Sequence, residues 1–542
     1  MKKLLALLLA VAMVLSLAAC GSSSSDTDTS TDDTSTDTET TEETEESEES
    51  EDASDEDEYH VLTVAMDVEP TSLDPNATAD GLGGMFVTFS VFSPLWVLTA
   101  DGETTMILAE SYEYNDDRTE FTITLRDDVT FADGNPITAE DVLYSYNNAA
   151  AGTGATRLAS LDLENAVVVD DLTLTIPMVS DSVTLIEDLG LLVVMEKAWC
   201  EESEDNIGLN VMSSGAYEIE SWETGMGIVL VKNESYFDAD NVYYDEIQVD
   251  FISSEETRLL SFESGEYDII CLSESASVDE INGGAREDAS VVTVGIQSVS
   301  GMVMSTWEDD YTTFLDVNVR LAIGYAIDVP TLVEAIMGSA YTVADSILPS
   351  ANYAYLSCGN YDYDVDYAIE LLAEAGYGED NPLSFTFTVS ESGMNSELAE
   401  AIQAMLAEVN IEMSIDTQDG ATYMNNMIAN TIEAGFSTYM GSYEPAGIVN
   451  SRRTGLPAHM SQYGDSELAD LLEEVCTSTA SEDERIEMWY ELQELSYEYA
   501  NFIPIYESNQ NFAVADSVDI DSIASSVQAD GYLFATNLKA AD

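Results

Sequence analysis

The chain has 542 residues, with 106 Asp and Glu against 14 Lys and Arg, and a formal net charge of −92 at pH 7. Nucleic-acid binding needs basic patches that neutralise phosphates, and an acid excess of this size excludes them. The same excess opposes non-specific attraction to an anionic membrane surface and favours cationic solutes.

In chain order, Lys2 and Lys3 come first, followed by an apolar run from Leu4 to Ala19. A bilayer span takes roughly 20 apolar residues, so this run is short for one. A basic start and a short apolar core read as a secretory signal peptide over 1–19. Leu17-Ala18-Ala19-Cys20 closes it. That sequence resembles the lipobox of bacterial lipoproteins. The resemblance implies cleavage before Cys20, lipidation of its thiol, and a lipid anchor on the extracytoplasmic face of the cell membrane, in an extracellular or periplasmic setting. Residues 20–58 are built from Ser, Thr, Asp and Glu, with 18 acidic residues between 26 and 58 and no aromatic before Tyr59. Such a stretch buries too little apolar surface to offset its ordering entropy. Its like charges extend it, so it reads as a disordered spacer.

Residues 59–542 hold the other 88 acidic residues and are long enough for two or three domains. No second apolar run there has the length of a membrane span. Beyond Cys20 the cysteines are Cys200, Cys271, Cys358 and Cys476, widely spaced and without a CxxC pair. An exported chain permits disulfides, and four cysteines allow three pairings. Metal-ligand spacing is absent and no cofactor is expected.

Val61 to Met66 reads as a buried strand, broken by Pro70 and Asp74-Pro75. Phe121 to Leu125 alternates as a strand after the Asp116-Asp117 turn. Phe131-Ala132-Asp133-Gly134-Asn135-Pro136 is turn chemistry. Thr138 and Asp141 fit a capping box at the head of a helix through Val142 and Tyr146. Strands are expected at 166–169, 172–176, 228–231 and 247–251. Beyond residue 310 helices dominate. Asp316 caps a helix carrying Val319, Ala322, Ile323 and Ala326, and Tyr367 to Ala375 is a helix stopped by Gly376. Ser396 to Glu408 is amphipathic, and Ile411 to Ile415 alternates as a strand. Ser466 to Val475 and Ser481 to Tyr499 are further helices, the second opened by a Ser481–Glu484 capping box. Phe502 to Tyr506 returns to extended chain. The chain is therefore mixed α/β.

Several landmarks carry a resemblance. They are Glu69-Pro70-Thr71-Ser72-Leu73-Asp74-Pro75, Leu125-Arg126 through Phe131 to Val142, Ser214-Gly215-Ala216-Tyr217, and Ser264-Gly265-Glu266-Tyr267-Asp268. Asp316 to Asp328, Leu371 to Tyr377, and Glu484-Arg485 with Ile503-Pro504-Ile505 complete them. In order and wording they resemble the family 5 extracellular solute-binding proteins of ABC importers, the peptide, dipeptide and oligopeptide class, over essentially all of 59–542. Within these motifs Gly134, Pro136 and Asp141 read as turn and cap residues, and Arg126 and Arg320 as members of structural ion pairs.

The resemblance implies an α/β, two-lobe periplasmic-binding-protein-like fold (type II or cluster C-like) with an inserted subdomain and a hinge between lobes. Lobe I would comprise 59–96, 213–305 and 508–542, with 97–212 inserted in it, and lobe II 306–507. A peptide would be captured at the lobe interface by hinge closure and delivered to permease and ATPase subunits. The protein would act as a monomer, without catalysis, and touch the membrane only through its lipid.

In peptide-binding members a lobe II segment carries an aromatic and then an Asp that pairs with the peptide α-ammonium. The matching segment is Tyr439-Met440-Gly441-Ser442-Tyr443-Glu444-Pro445. Gly441 or Ser442 falls where the Asp would be, and Glu444 is either a substitute cation partner or a solvated turn residue. Arg452-Arg453, the one basic pair in the folded part, suits a ligand carboxylate or neighbouring acidic side chains. Trp307, Tyr439 and Tyr443 are candidate aromatic walls, with Met304 beside them.

Three other readings compete. The same fold takes oligosaccharides in some relatives, and aromatic walls without the pairing Asp suit sugars. A nickel complex is disfavoured with only His60 and His459 available. A hydrolase needs a positioned His or a GxSxG, HExxH or phosphate loop, and none occurs. A sensory or adhesive receptor on the same scaffold would be distinguished by the absence of neighbouring permease and ATPase genes.

Overall fold

The computed structural model describes residues 59–541 except 76–80, 100–101, 153, 204–210, 306–311, 392, 430, 441, 450–465, 478–479 and 528–531. The leader, Cys20, the acidic spacer, Trp307, Arg452 and Arg453 lie outside the described residues.

The run Val61–Met66 is a strand whose last three residues are all buried. Near-continuous apolar sequence is what a central parallel strand requires, because both faces are covered. It pairs in parallel with Glu246–Phe251, from Val61↔Glu246 to Met66↔Phe251, and with Ile269–Leu272. Asp268, from the Ser264–Asp268 motif, fastens the second pairing. Its carboxylate accepts the Thr63 amide at 3.0 Å and the Thr63 hydroxyl at 2.8 Å. These strands belong to an 11-stranded sheet. Its order is Ile411–Gln418, Leu383–Ser390, Ala434–Met440, Ala289–Met304, Phe502–Ala515, Ile269–Leu272, Val61–Met66, Glu246–Phe251, Gly227–Lys232 and Tyr217–Glu223, with Tyr341–Val343 added beside Phe502–Ala515.

Two long antiparallel strands, Ala289–Met304 and Phe502–Ala515, join the two ends of this sheet. Their register shifts between Gly295 and Val299 and again between Ser300 and Gly301. Bulges of this kind bend a strand and increase its twist. The core changes at the same place. On one side Val292, Phe512 and Val514 pack with Leu62, Val64 and Phe86. On the other side Met302, Ile503 and Ile505 pack with Ile323, Leu372 and Phe387. One sheet thus serves two cores, and its bulged stretch lies between them.

A separate four-stranded antiparallel sheet, ordered Ala109–Tyr114, Glu120–Leu125, Thr173–Pro177 and Val167–Asp170, has a core of its own. Trp96, Phe121, Ile123, Val142, Tyr146 and Leu189 fill it.

The local signals read from the sequence are present. Asp141 accepts the Thr138 amide at 2.9 Å and hydroxyl at 2.6 Å at the head of helix Ala139–Ala151. Glu484 and Ser481 exchange the same contacts at the head of helix Glu482–Tyr499. Asp316 accepts the Asn318 amide, and Gly376 takes a φ of +90° just past helix Val365–Glu374. Arg126 pairs with Asp128 at 2.8 Å. Arg320 is held by backbone acceptors. Its buried guanidinium donates to the carbonyls of Tyr499 at 2.8 Å, Phe314 at 2.7 Å and Leu315 at 3.2 Å. It therefore ties a helix end to a loop through carbonyl acceptors. None of Cys200, Cys271, Cys358 and Cys476 is in a disulfide.

Candidate functional site

Strand Ala434–Met440 ends at a turn that leads into helix Pro445–Val449. Pro445 suits the first helical position because its missing N–H is one that the helix would leave unpaired. Ala446 and Ile448 bury themselves in a core with Val299, Tyr439, Trp489 and Phe502. That packing fixes the exit of the turn, and the strand fixes its entry. Ser442, Tyr443 and Glu444 stand between.

The face opposite this turn comes from the four-stranded part. Helix Leu185–Gly190 buries Leu185 and Leu189 beside Trp96, whose indole N–H donates to the Ile186 carbonyl at 2.8 Å. Asp188 accepts the Thr184 hydroxyl at 2.6 Å and stands 3.9 Å from Arg157. Held in this way, the helix directs Glu187 across the seam. Oε1 of Glu187 accepts the Tyr443 amide at 2.7 Å, and Oε2 accepts the Ser442 hydroxyl at 2.7 Å and the Glu444 amide at 3.1 Å. Glu187 and Ser442 are both buried.

Tyr443 completes the contact. Its ring stacks on Tyr353 with centroids 4.8 Å apart, and its carbonyl accepts from Asn352 Nδ2 at 2.8 Å. Its hydroxyl end lies so close to Gly102 that a Cβ there would clash with it, and Gly102 has a φ of +82°. Val183, from the four-stranded part, packs against the core behind the turn.

Glu444 faces the other way. Oε2 accepts the Tyr353 hydroxyl at 3.0 Å and lies 3.4 Å from Arg485 Nη2. Burial pushes its carboxyl above the ordinary range, while the Arg485 charge and the Tyr353 hydroxyl act in the opposite direction. Arg485 follows the Ser481–Glu484 capping box, so a local helix signal positions the guanidinium beneath the turn.

Of the residues expected at the site, Ser442, Tyr443 and Glu444 come together here. Tyr439 is buried against Phe502, with ring centroids 4.8 Å apart. Met304 pairs with Ala434 and packs in the core with Phe314 and Ile323, on the opposite sheet face from Tyr439. Four further residues belong to the arrangement: Gly102, Glu187, Tyr353 and Arg485. For Glu187 the available signal was a carboxylate pair, Glu187-Asp188, inside an apolar stretch.

A concavity of about 310 Å³ opens where Phe89, Tyr236 and Phe237 meet Leu98, Met106 and Phe534. It shares no residue with the turn. Among the described residues no group of three or more His, Cys, Asp or Glu is arranged to hold a metal ion.

Residues 103–451, more than half of the chain, match the family described as bacterial extracellular solute-binding proteins, family 5. The chain belongs to this family. Among family 5 relatives, the probable D,D-dipeptide-binding periplasmic protein DdpA of Escherichia coli is 24% identical over 482 residues, covering 84% of this chain and 90% of that protein. The structure of the ABC transporter substrate-binding protein CtaP of Listeria monocytogenes superposes with a TM-score of 0.76 at 19% identity, covering 89% of this chain and 100% of that one. The structure of NikA from Brucella suis in complex with Fe(III)-EDTA does so with the same TM-score at 20% identity, again covering 89% and 100%. The family 5 fold accounts for the architecture. That fold has two lobes, an inserted subdomain and a hinge, and here the large sheet serves two cores with its bulged strands between them. Family 5 proteins are extracytoplasmic solute-binding proteins of a non-catalytic transport family.

Proposed function

We propose that this protein is a lipid-anchored solute-binding protein of an ABC importer that captures a di- or oligopeptide by hinge closure and passes it to the permease and ATPase subunits. Membership of family 5 carries the solute-binding part of this reading. Peptide as the ligand rests on the dipeptide- and oligopeptide-binding names of several relatives and on the acidic charge, which favours a cationic terminus. Cys20 is the proposed lipid attachment point and 20–58 the tether. Lobe I is taken as 59–96, 213–305 and 508–542, the inserted subdomain as 97–212, and lobe II as 306–507.

The proposed ligand seat is the seam at Ser442, Tyr443 and Glu444, with Tyr439 behind it. Trp307, Arg452 and Arg453 are further proposed contributors from lobe II and the lobe crossing, whereas Met304 faces the core. Tyr443 offers a ring face and Glu444 a carboxylate already partnered by Arg485.

The test is a melting series on residues 59–542 with di- and oligopeptides, oligosaccharides and metal complexes. A ligand at 100 times its Kd raises native-state stability by about 2.7 kcal/mol. Peptides are expected to raise Tm while sugars and metals leave it unchanged. A rise with sugars or metals alone would keep the family and remove the peptide.

A further inference from the structure

The turn after strand Ala434–Met440 holds a carboxylate from elsewhere in the chain. The Tyr443 amide points at one oxygen of Glu187, and the Ser442 hydroxyl and Glu444 amide point at the other. Successive backbone N–H groups in a turn make a concave seat for an anion, and hydrogen bonds to an ionised acceptor are the short, strong ones. The donors cost free energy if they are buried without an acceptor. Ser442 is fully buried and Glu187 nearly so, so water does not readily replace the carboxylate.

The occupant and the seat belong to different halves of the molecule. Glu187 stands on the short helix of the inserted subdomain, and its partner Ser442 lies 255 residues along the chain. Any opening that admits a solute between the two faces draws Glu187 out and exposes three aligned donors. Closing again without a carboxylate at that point would bury those donors unpaired. Glu444 does not fill the role itself, because its carboxylate is turned toward Tyr353 and Arg485.

We propose that Ser442, Tyr443 and Glu444 form a carboxylate-binding subsite for the transported solute, and that Glu187 is its built-in occupant in the unliganded protein. The ligand class is then a solute with a free carboxylate, which takes the three donors as Glu187 is displaced. For a peptide this is the terminal or a side-chain carboxylate. This ligand assignment rests on the solute-binding reading above, whereas the seat itself does not.

The experiment therefore has two arms on residues 59–542. In the first, Glu187→Ala and Glu187→Gln are melted with increasing sodium acetate, and with sodium chloride at matched ionic strength. Glu187→Ala should lose stability and regain at least half of the lost Tm in acetate, with no such gain in wild type or in the Glu187→Ala, Ser442→Ala double variant. Equal recovery in acetate and chloride would overturn the seat. Glu187→Gln keeps the side-chain volume and one acceptor, so it reports on the charge if the alanine variant folds poorly.

In the second arm, matched peptides with a free or an amidated C-terminus are titrated calorimetrically. Removing Glu187 should tighten binding of the free acid about tenfold and leave the amide within about threefold. Equal tightening or equal loss for both would make Glu187 a simple clasp between the halves and overturn the subsite. If acetate rescues Glu187→Ala but no peptide binds either protein, the seat stands and the peptide reading falls.

Discussion

Glu444 accepts from Tyr353 and lies against Arg485 within a core of Trp489, Leu492 and Ile448. Burial raises its folded-state pKa above the ordinary 4.5 despite Arg485. A carboxyl with a raised folded pKa is more easily protonated in the folded chain than in the unfolded one. Its contribution to stability is therefore complete below the unfolded value and is lost as pH rises through the folded value. Glu444→Gln removes that titration. The stability of wild type relative to Glu444→Gln, from urea unfolding at a series of pH values above 4, should fall as pH rises and then level off. A relative stability that grows with pH would mean that the Arg485 pairing outweighs burial. Residues such as Thr138, Ser481 and Asp316 were legible in the sequence because a cap and its partner lie within three positions of each other. Glu187 was not, because its partners lie on a turn far along the chain and no periodicity links them. Arg320 shows a third case. A buried guanidinium had to find acceptors, and the carbonyls it reaches are set by where a helix end and a loop meet, which no local pattern shows.

At the scale of elements, the two long strands are where the cores part. Of this pair the sequence marked only Phe502 to Tyr506 as extended chain, and the register shifts at Gly295–Val299 and Ser300–Gly301 leave no mark in composition. The opposite-face placement of Met304 and Tyr439 likewise follows from register, because side chains alternate along each strand. Gly301 is a position where the backbone itself sets the residue. A Cβ there would run into the Ile503 carbonyl and the Phe502 ring. Gly301→Ala must then push the crossing strands apart, and overpacking of this kind costs roughly 1–3 kcal/mol. Urea unfolding should report a loss in that range, and ligand affinity should fall with it, because the distorted stretch lies between the two cores. Wild-type stability in the variant would show that the strands separate freely at this point.

At the scale of the whole molecule, charge is the dominant long-range term. The ion pairs Arg118–Asp181, Arg126–Asp128, Arg258–Glu255, Arg286–Asp288 and Arg485–Glu444 engage much of the small basic complement locally. The carboxylates far outnumber the cations that can meet them. They repel one another across the surface, and repulsion among like charges works against the compact state. Screening shortens that repulsion, since the Debye length falls from about 30 Å at 0.01 M salt to about 10 Å at 0.1 M and 3 Å at 1 M. Surface ion pairs weaken under the same change, but each contributes only about 0–1 kcal/mol. The repulsive sum should therefore win. Melting residues 59–542 at pH 7 in sodium chloride from about 0.01 to 0.5 M should show Tm rising throughout, most steeply at the low end. Repeating the series near pH 4, where much of the carboxylate charge is neutralised, should flatten the dependence. A Tm that falls with salt at pH 7 would instead place the balance with the local pairs, and the acid excess would then bear on solubility and ligand attraction rather than on stability.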